Sequence, residues 1–379
     1  MIVWVVGRGI PRKKNKMLGS FELEQAQMLK RNGIDVYYIC FNVRTIRRWE
    51  HFGFHYDMEG EIETVSFNFP IGRVLPNKAK VYAEKIAFDK ISRKLIKEKG
   101  LPDIIHVHYP TQHAFSVFST MQLKGVKIVA TEHWTKVLGK NLEEPYLSNL
   151  KSFVKKADAY CCVGSSLKKA IEEKVTDKSN IIIVPNVVNQ VFASSHINHT
   201  VHTEFIFLCA GRLVKVKQFD KIAKAFLNVF KEENVKLIIA GGGEELKNIQ
   251  NIIENKKGEN KVCLLGEVSR YEMAELMRDC NVLVTFSRLE TFCVPVIEAW
   301  ACGKPVIATT ATVFSDNPDP RLGIMVNWQD QKTLEEALRR IYETYDTYNP
   351  EWIQKYAEDN YSENAIARRL IDIYSKVME

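Results

Sequence analysis

The chain predicts an α/β protein made of two doubly wound parallel sheets, and three observations predict it. Short runs rich in Val, Ile and Phe, of strand length, alternate with helical patterns along the whole chain. The alternation stops once, at the polar segment Ala193-Ser-Ser-His-Ile-Asn-His-Thr-Val-His-Thr203, and then begins again. At 379 residues the chain also exceeds the size at which one hydrophobic core stops growing, so two domains are expected.

In the first half the expected strands are Ile2 to Val6, Asp35 to Cys40, Glu63 to Phe67, Ile104 to Val107, Val126 to Ala130, Ala159 to Val163 and Ile181 to Val184. Residues 1–192 then form the first domain and 193–203 the linker. The second series is Phe205 to Cys209, Val235 to Ala240, Val262 to Leu265, Val282 to Phe286, Pro305 to Ala308 and Gly323 to Val326, within a domain spanning 204–362. The tail is helical in pattern, first Trp352 to Glu358 and then Glu363 to Met378, where Ile366, Leu370, Ile373, Tyr374 and Val377 share one face.

Composition bounds the function class. Hydrophobic residues make up 46% of the chain, ordinary for a soluble globular protein, and no run approaches the roughly 18 apolar residues of a membrane span. Met1-Ile-Val-Trp-Val-Val-Gly7 reads as a core strand with no basic segment or cleavage site before it. A cytoplasmic location is expected. Eight scattered cysteines without a C-x-x-C pair read as small core hydrophobes in a reducing compartment, with neither a metal site nor disulfides.

The net charge of +7 is unevenly divided: residues 1–195 carry 30 Lys+Arg against 19 Asp+Glu, which is +11, and residues 196–379 carry 23 against 27, which is −4. The basic charge concentrates in Arg12 to Lys16, Arg44 to Arg48 and Lys78 to Lys99. In the last stretch Val81, Tyr82, Ile86, Ile91, Leu95 and Ile96 form an apolar stripe among lysines. Such a helix suits the anionic inner face of a cell membrane; alternatively it packs its stripe on a sheet. No nucleic-acid-binding motif is present.

Charged and small residues gather at expected strand ends, where open α/β sheets bind ligands. After the first strand, Val6-Gly7-Arg-Gly9-Ile-Pro-Arg12 lacks the third glycine of a dinucleotide fingerprint, so nicotinamide chemistry is excluded. Gly19-Ser20 opens a helix whose N-H groups suit a phosphate or a sugar; the same pair also serves as ordinary capping. Thr131-Glu-His133-Trp134 ends another strand, and His133 is a candidate hydrogen-bonding partner of a sugar, or else a structural histidine. His106 and His108 flank a third strand end, with at least one expected in packing. Gly211-Arg212, with Lys217 close behind, places two cations at a helix entrance, an arrangement that suits a diphosphate. Ala240-Gly-Gly-Gly243 follows, and its glycines are expected to let a ligand approach the backbone. No Asp-x-Asp pair is available to chelate a metal with a nucleotide diphosphate.

The most informative stretch runs from Ser287 to Thr309. Glu290 falls in the loop after a strand, and Glu298 falls a turn into the following helix between Ile297 and Ala299, a setting apolar enough to bury it. A buried carboxylate there needs a partner such as a ligand hydroxyl.

Together, Gly211-Arg212 with Lys217, Ala240-Gly-Gly-Gly243, Leu265-Gly266, Ser287, Glu290-Thr-Phe-Cys-Val-Pro-Val-Ile-Glu298 and Gly303-Lys-Pro-Val-Ile307 resemble the C-terminal half of a family 4 retaining glycosyltransferase of GT-B fold. Gly19, Thr131-Glu-His133 and Val184-Pro-Asn186 extend the resemblance over the first half. It implies two Rossmann-like domains facing a central cleft, with the helix 363–379 joining the first domain. It implies that Arg212 and Lys217 hold the donor diphosphate, that Glu290 contacts the donor sugar with backbone groups of Phe292, Cys293 and Val294, and that Glu298 contacts the ribose. Gly211, Gly241 and Ser287 complete the donor site, and His133 and Gly19 face the sugar.

The implied donor is a UDP- or GDP-sugar, without a metal or other cofactor. The implied acceptor is a glycan, and the basic first half points to a lipid-linked one, as in capsule, exopolysaccharide or lipopolysaccharide assembly. A nucleotide-sugar epimerase and a non-catalytic sugar-nucleotide-binding protein are the competing readings. Four departures stand out. Gln218 and Cys293 replace glycines, Gly164 stands where serine is frequent, and Val187 with Asn189 replaces Gly and Asp.

Overall fold

The computed structural model describes residues 1–11, 18–44, 52–70, 77–120, 123–176, 181–193 and 204–379. The expected linker therefore lies, but for Ala193, outside the described residues, as do the basic stretch 12–16 and most of 44–48. The described chain divides into two compact units, one of residues 1–163, 167–185 and 366–379, the other of 164–166 and 186–365.

The first unit holds an eight-stranded sheet. Its strands are β1 (Ile2–Gly7), β2 (Asp35–Arg44), β3 (Gly53–Glu59), β4 (Ile62–Pro70), β5 (Ile104–His108), β6 (Lys127–Glu132), β7 (Ala159–Cys162) and β8 (Ile181–Ile183), in the order β3-β4-β2-β1-β5-β6-β7-β8. All pairs are parallel except β3 with β4. The helices are α1 (Ser20–Arg31), α2 (Asn77–Lys99), α3 (Pro110–Phe118), α4 (Tyr146–Lys156) and α5 (Ser165–Glu172), whose first residues fall in the other unit.

The second unit carries β9 (Phe205–Ala210), β10 (Val235–Ala240), β11 (Val262–Gly266), β12 (Val282–Val284), β13 (Val306–Thr309) and β14 (Gly323–Val326), ordered β11-β10-β9-β12-β13-β14 and wholly parallel. Its helices are α6 (Phe219–Val229), α7 (Leu246–Asn255), α8 (Arg270–Asp279), α9 (Val294–Ala301), α10 (Gln331–Glu343) and α11 (Pro350–Tyr361). Phe207, Phe226 and Phe230 pack between β9 and α6 in its core. The last helix, α12 (Glu363–Met378), belongs to the first unit from Ile366 onward.

Every strand read from the sequence is present in this fold, and the two Rossmann-like α/β sheets are the class that was expected. One strand was missed. β3 reads Gly-Phe-His-Tyr-Asp-Met-Glu, and it turns at Gly60 (φ 64°) to pair antiparallel with β4. Its outward residues Phe54, Tyr56 and Met58 are exposed, so it lacks the run of buried residues by which a central parallel strand is recognised. The stripe of α2 follows the second of its two readings, packing on a sheet. Ala87, Phe88, Ile91 and Leu95 are fully buried within the unit, whereas Tyr82 is 59% exposed. The helix uses its apolar face on the sheet, and Lys94, Arg93 and Lys99 pair with Glu98, Asp89 and Glu63. Of the cysteines only Cys263 is exposed, and all eight are free thiols. No helix among the described residues is long and apolar enough to cross a membrane.

The strand orders locate the two crevices at which open α/β sheets bind ligands. In each sheet successive strands run outward from a central pair whose connections diverge, β1 and β5 in the first unit and β9 and β12 in the second. Helices leaving such a pair go to opposite faces, which opens a crevice at the carboxyl ends.

Candidate functional site

In the second unit the crevice is built from the loops after β9, β10 and β12. Gly211 leaves β9 at φ 138° and Gly241 leaves β10 at φ 147°. A Cβ on Gly241 would stand 1.8 Å from the Gly211 carbonyl oxygen, and one on Gly243 would stand 2.3 Å from that of Leu213. These glycines are required because two loops pack backbone on backbone, joined by Gly211 N-H to Ala240 O (3.0 Å) and Leu213 N-H to Gly242 O (2.9 Å). The close approach these glycines admit here is that of the protein's own backbone.

The β9 loop is also pinned to the β12 loop. Arg288 N-H donates to Val216 O (2.8 Å), and the Gln218 amide donates to Phe286 O (2.9 Å). Lys217 Nζ donates to Glu290 Oε1, with both side chains largely buried. Burial alone would lower the Lys217 pKa, but the Glu290 carboxylate outweighs it and the ammonium is held above its usual value. Arg212 is exposed close by and adds positive potential at Lys217; its guanidinium forms no ion pair among the described residues. The two candidate cations and the first candidate glutamate therefore stand together.

Two residues that replace expected glycines keep the glycine conformation. Gln218 has φ 54° and Cys293 has φ 76°, both left-handed. Cys293 precedes α9, which begins at Val294, two residues earlier than the composition indicated, with Pro295 in its first turn. Its thiol is buried, which pushes it up to about 12 and keeps it protonated. The thiol lies 3.9 Å from Thr285 Oγ1, which is itself 3.2 Å from Ser287 Oγ. Ser287 is fully buried, and its carbonyl accepts from Thr309 (2.7 Å). Phe292 is also buried, and its carbonyl accepts from Val313 N-H (2.7 Å), so that oxygen already has a partner. Val294 is half-buried. Glu298 is likewise half-buried on α9 and so differs from its expected burial; the helix shows this edge outward while Ile297 and Ala299 face the core.

The first unit has its own cluster at the ends of β1, β5 and β6. Gly19 has φ 76°, and a Cβ there would meet the Gly9 carbonyl oxygen at 1.8 Å, an atom that also accepts from Tyr38 OH (2.8 Å). Arg8 lies over the Tyr109 ring at 3.5 Å and bonds the fully buried Glu22 (2.8 Å). His133 is buried, 8% exposed, with Nε2 2.9 Å from Nδ1 of His108. Glu132 is buried beneath the loop. It accepts from the amides of His133 and Trp134 (2.9 Å each) and from the hydroxyl and amide of Thr111. Burial holds its carboxyl above the usual range in spite of those donors. His106 and His108 are both buried, in keeping with the expectation of at least one in packing, and desolvation holds each well below the ordinary histidine value.

Arg8, Glu22, Tyr109 and Glu132 are absent from the candidates read from the sequence. Arg8 sits within the glycine turn after β1, and a charged residue directly after a first strand is the signal that marks it. Among the described residues no group of three or more His, Cys, Asp or Glu side chains is placed to hold a metal ion.

Two family models match the chain, glycosyltransferase family 4 over residues 21–191 and glycosyl transferases group 1 over residues 193–373. The N-acetyl-alpha-D-glucosaminyl L-malate synthase of Bacillus anthracis is 31% identical over 219 residues, 55% of this chain and 56% of the relative. One polypeptide of the phosphatidylinositol N-acetylglucosaminyltransferase of Arabidopsis thaliana is 21% identical over 72% of this chain and 59% of its own. The matches thus span little more than half the length of these relatives. Among solved structures, Anabaena HepE in complex with UDP and glucose superposes with a TM-score of 0.74 at 15% identity, over 99% of this chain and all of the other, a likeness of fold.

Proposed function

The chain belongs to the group 1 glycosyltransferases, with a family 4 model matching its first half, and on that premise we propose that it transfers a sugar from a nucleoside diphosphate sugar to a hydroxyl of an acceptor glycan. The observation that carries the reading is the Arg212, Lys217 and Glu290 group at the carboxyl ends of β9 and β12. Departure of a nucleoside diphosphate develops negative charge on its terminal phosphate. Arg212 and Lys217 are placed to neutralise it, and losing one such contact costs about 3 kcal/mol, a hundredfold or more in rate. Glu290, paired with Lys217, accepts from hydroxyls of the donor sugar, and the Val294 amide that opens α9 adds a donor beside it. Glu298 is assigned to the ribose.

The proposed donor is UDP- or GDP-linked, the charge is met by side chains without a metal, and the anomeric configuration is retained. UDP is favoured by the fold likeness to a UDP-bound protein. His133 and Gly19 of the first unit are assigned to the sugar.

A lipid-linked acceptor at the anionic inner face of a membrane is the finer reading. It is supported by the exposed Phe52, Tyr56 and Met58 with Lys94 4.6 Å from the Tyr56 ring, and by the relative that acts on phosphatidylinositol. The acids Asp57, Glu59, Glu61 and Glu63 beside that row offset its lysines. The relative that makes a glucosaminyl malate favours a second reading, a small acidic acceptor.

One experiment separates these. Purified protein is incubated with UDP-glucose, UDP-N-acetylglucosamine or GDP-mannose, together with either polyprenyl diphosphate glycan in anionic vesicles or L-malate. Proton NMR of the product should show the α-configuration of the donor kept. An inverted anomer, an epimerised donor, or binding of every donor with no product from any acceptor would overturn the transferase reading as stated.

A further inference from the structure

His133 is bound into a column of histidines that the transferase reading leaves unexplained. β5 and β6 are parallel neighbours with His108 opposite Thr131, so the side chains of His106 and His108, two residues apart, lie on one face of the sheet. Their rings stack at 4.5 Å and 24°. His106 is bonded at both nitrogens, to Tyr374 OH of α12 (2.6 Å) and to Thr131 Oγ1 (2.7 Å). His108 in turn meets His133, with Nδ1 to Nε2 at 2.9 Å and the rings inclined by 27°.

In the uncharged pair this contact holds one proton, and there are two ways to place it. If His133 donates from Nε2, the proton of His108 must sit on its own Nε2. That atom is buried with no hydrogen-bond partner among the described residues, and a buried N-H without an acceptor is rarer than a buried lone pair without a donor. If His108 donates from Nδ1, its Nε2 carries only a lone pair.

We propose that His108 is a positioning residue whose Nδ1-H donates to His133 Nε2 and so holds His133 in the tautomer protonated at Nδ1. The proton of His133 then sits on Nδ1, and its Nε2 is not available as a base. The tautomer stands on the geometry alone. Its consequence for the reaction rests on the assignment of His133 to the sugar.

Long-range proton-nitrogen correlation spectra of the full chain labelled with 15N-histidine read the tautomer directly. The wild-type His133 should show a protonated Nδ1 and a bare Nε2. His108→Asn places an amide donor where Nδ1 was and should keep that pattern, whereas His108→Leu should lose it. In the transfer assay kcat should fall about tenfold in His108→Leu, the equivalent of one hydrogen bond, and recover to within about twofold in His108→Asn, with the donor KM unchanged. A wild-type His133 protonated at Nε2 overturns the proposal, whether or not the leucine variant folds. So does a folded His108→Leu protein with the original tautomer and turnover. Full turnover in His133→Ala, beside the expected wild-type spectrum, would remove His133 from the reaction and overturn the positioning role of His108 with it.

Discussion

Lys217 and Glu290 show how single residues were legible in the sequence and where legibility ended. Each stood out as a charge just past an apolar strand, and the structure joins them in one largely buried pair. Gln218 and Cys293 were legible as departures from glycine. That they retain left-handed backbone is visible only in the fold, where the Gln218 side-chain amide donates a hydrogen bond to Phe286 O and the buried Cys293 thiol lies 3.9 Å from Thr285 Oγ1. The histidines were the least legible, because a strand pattern cannot say which rings meet across neighbouring strands.

The histidines also yield a prediction at this scale. His106 and His108 have folded pKa values well below the ordinary 6.5, so the unfolded chain takes up protons first as pH falls. The stability they contribute is present above about pH 6.5 and is lost below it, at up to about 1.4 kcal/mol per pH unit for each ring. Urea unfolding followed between pH 8 and 5 should show this loss, and His106→Gln should flatten it; a wild-type midpoint constant across that range would contradict the burial of neutral rings.

At the scale of elements, the parallel strands were legible because buried strands read as continuous apolar runs between helical patterns. β3 was hidden by its exposed edge position, and the two readings of α2, membrane or sheet, stood side by side because amphipathicity alone cannot say which surface an apolar stripe meets. Ala87, Phe88, Ile91 and Leu95 meet the sheet. The glycine loops make a testable contrast. Gly241→Ala puts a Cβ 1.8 Å from the Gly211 carbonyl, whereas Gly266→Ala, at φ 71°, meets nothing within 4 Å. The second should cost only the left-handed strain of about 1 kcal/mol. The first should cost several times more and displace Arg212, since backbone must move. Thermal unfolding of the two variants checks this, and equal losses would contradict the loop-on-loop account.

For the whole molecule, the repeat of the alternating pattern announced two Rossmann-like units, and the candidate residues lie at the carboxyl ends of the diverging central pair of each sheet and of the strands beside it. The return of the last helix to the first unit was an inference from family resemblance; no local pattern in Glu363 to Met378 says which unit its apolar face will meet. The donor and acceptor identities were not legible at all, since they depend on a few contacts to hydroxyls and bases that strand ends and charges do not specify.

The central claim is that the second unit holds a nucleoside diphosphate through Arg212 and Lys217. Its most direct test is calorimetric titration of UDP and GDP into the wild-type protein and into Arg212→Ala and Lys217→Met. Saturable binding of at least one of the two nucleotides, weakened about tenfold or more in each folded variant, is the predicted result. Binding that is unaltered in both variants, or no binding of either nucleotide by the wild-type protein, would contradict it.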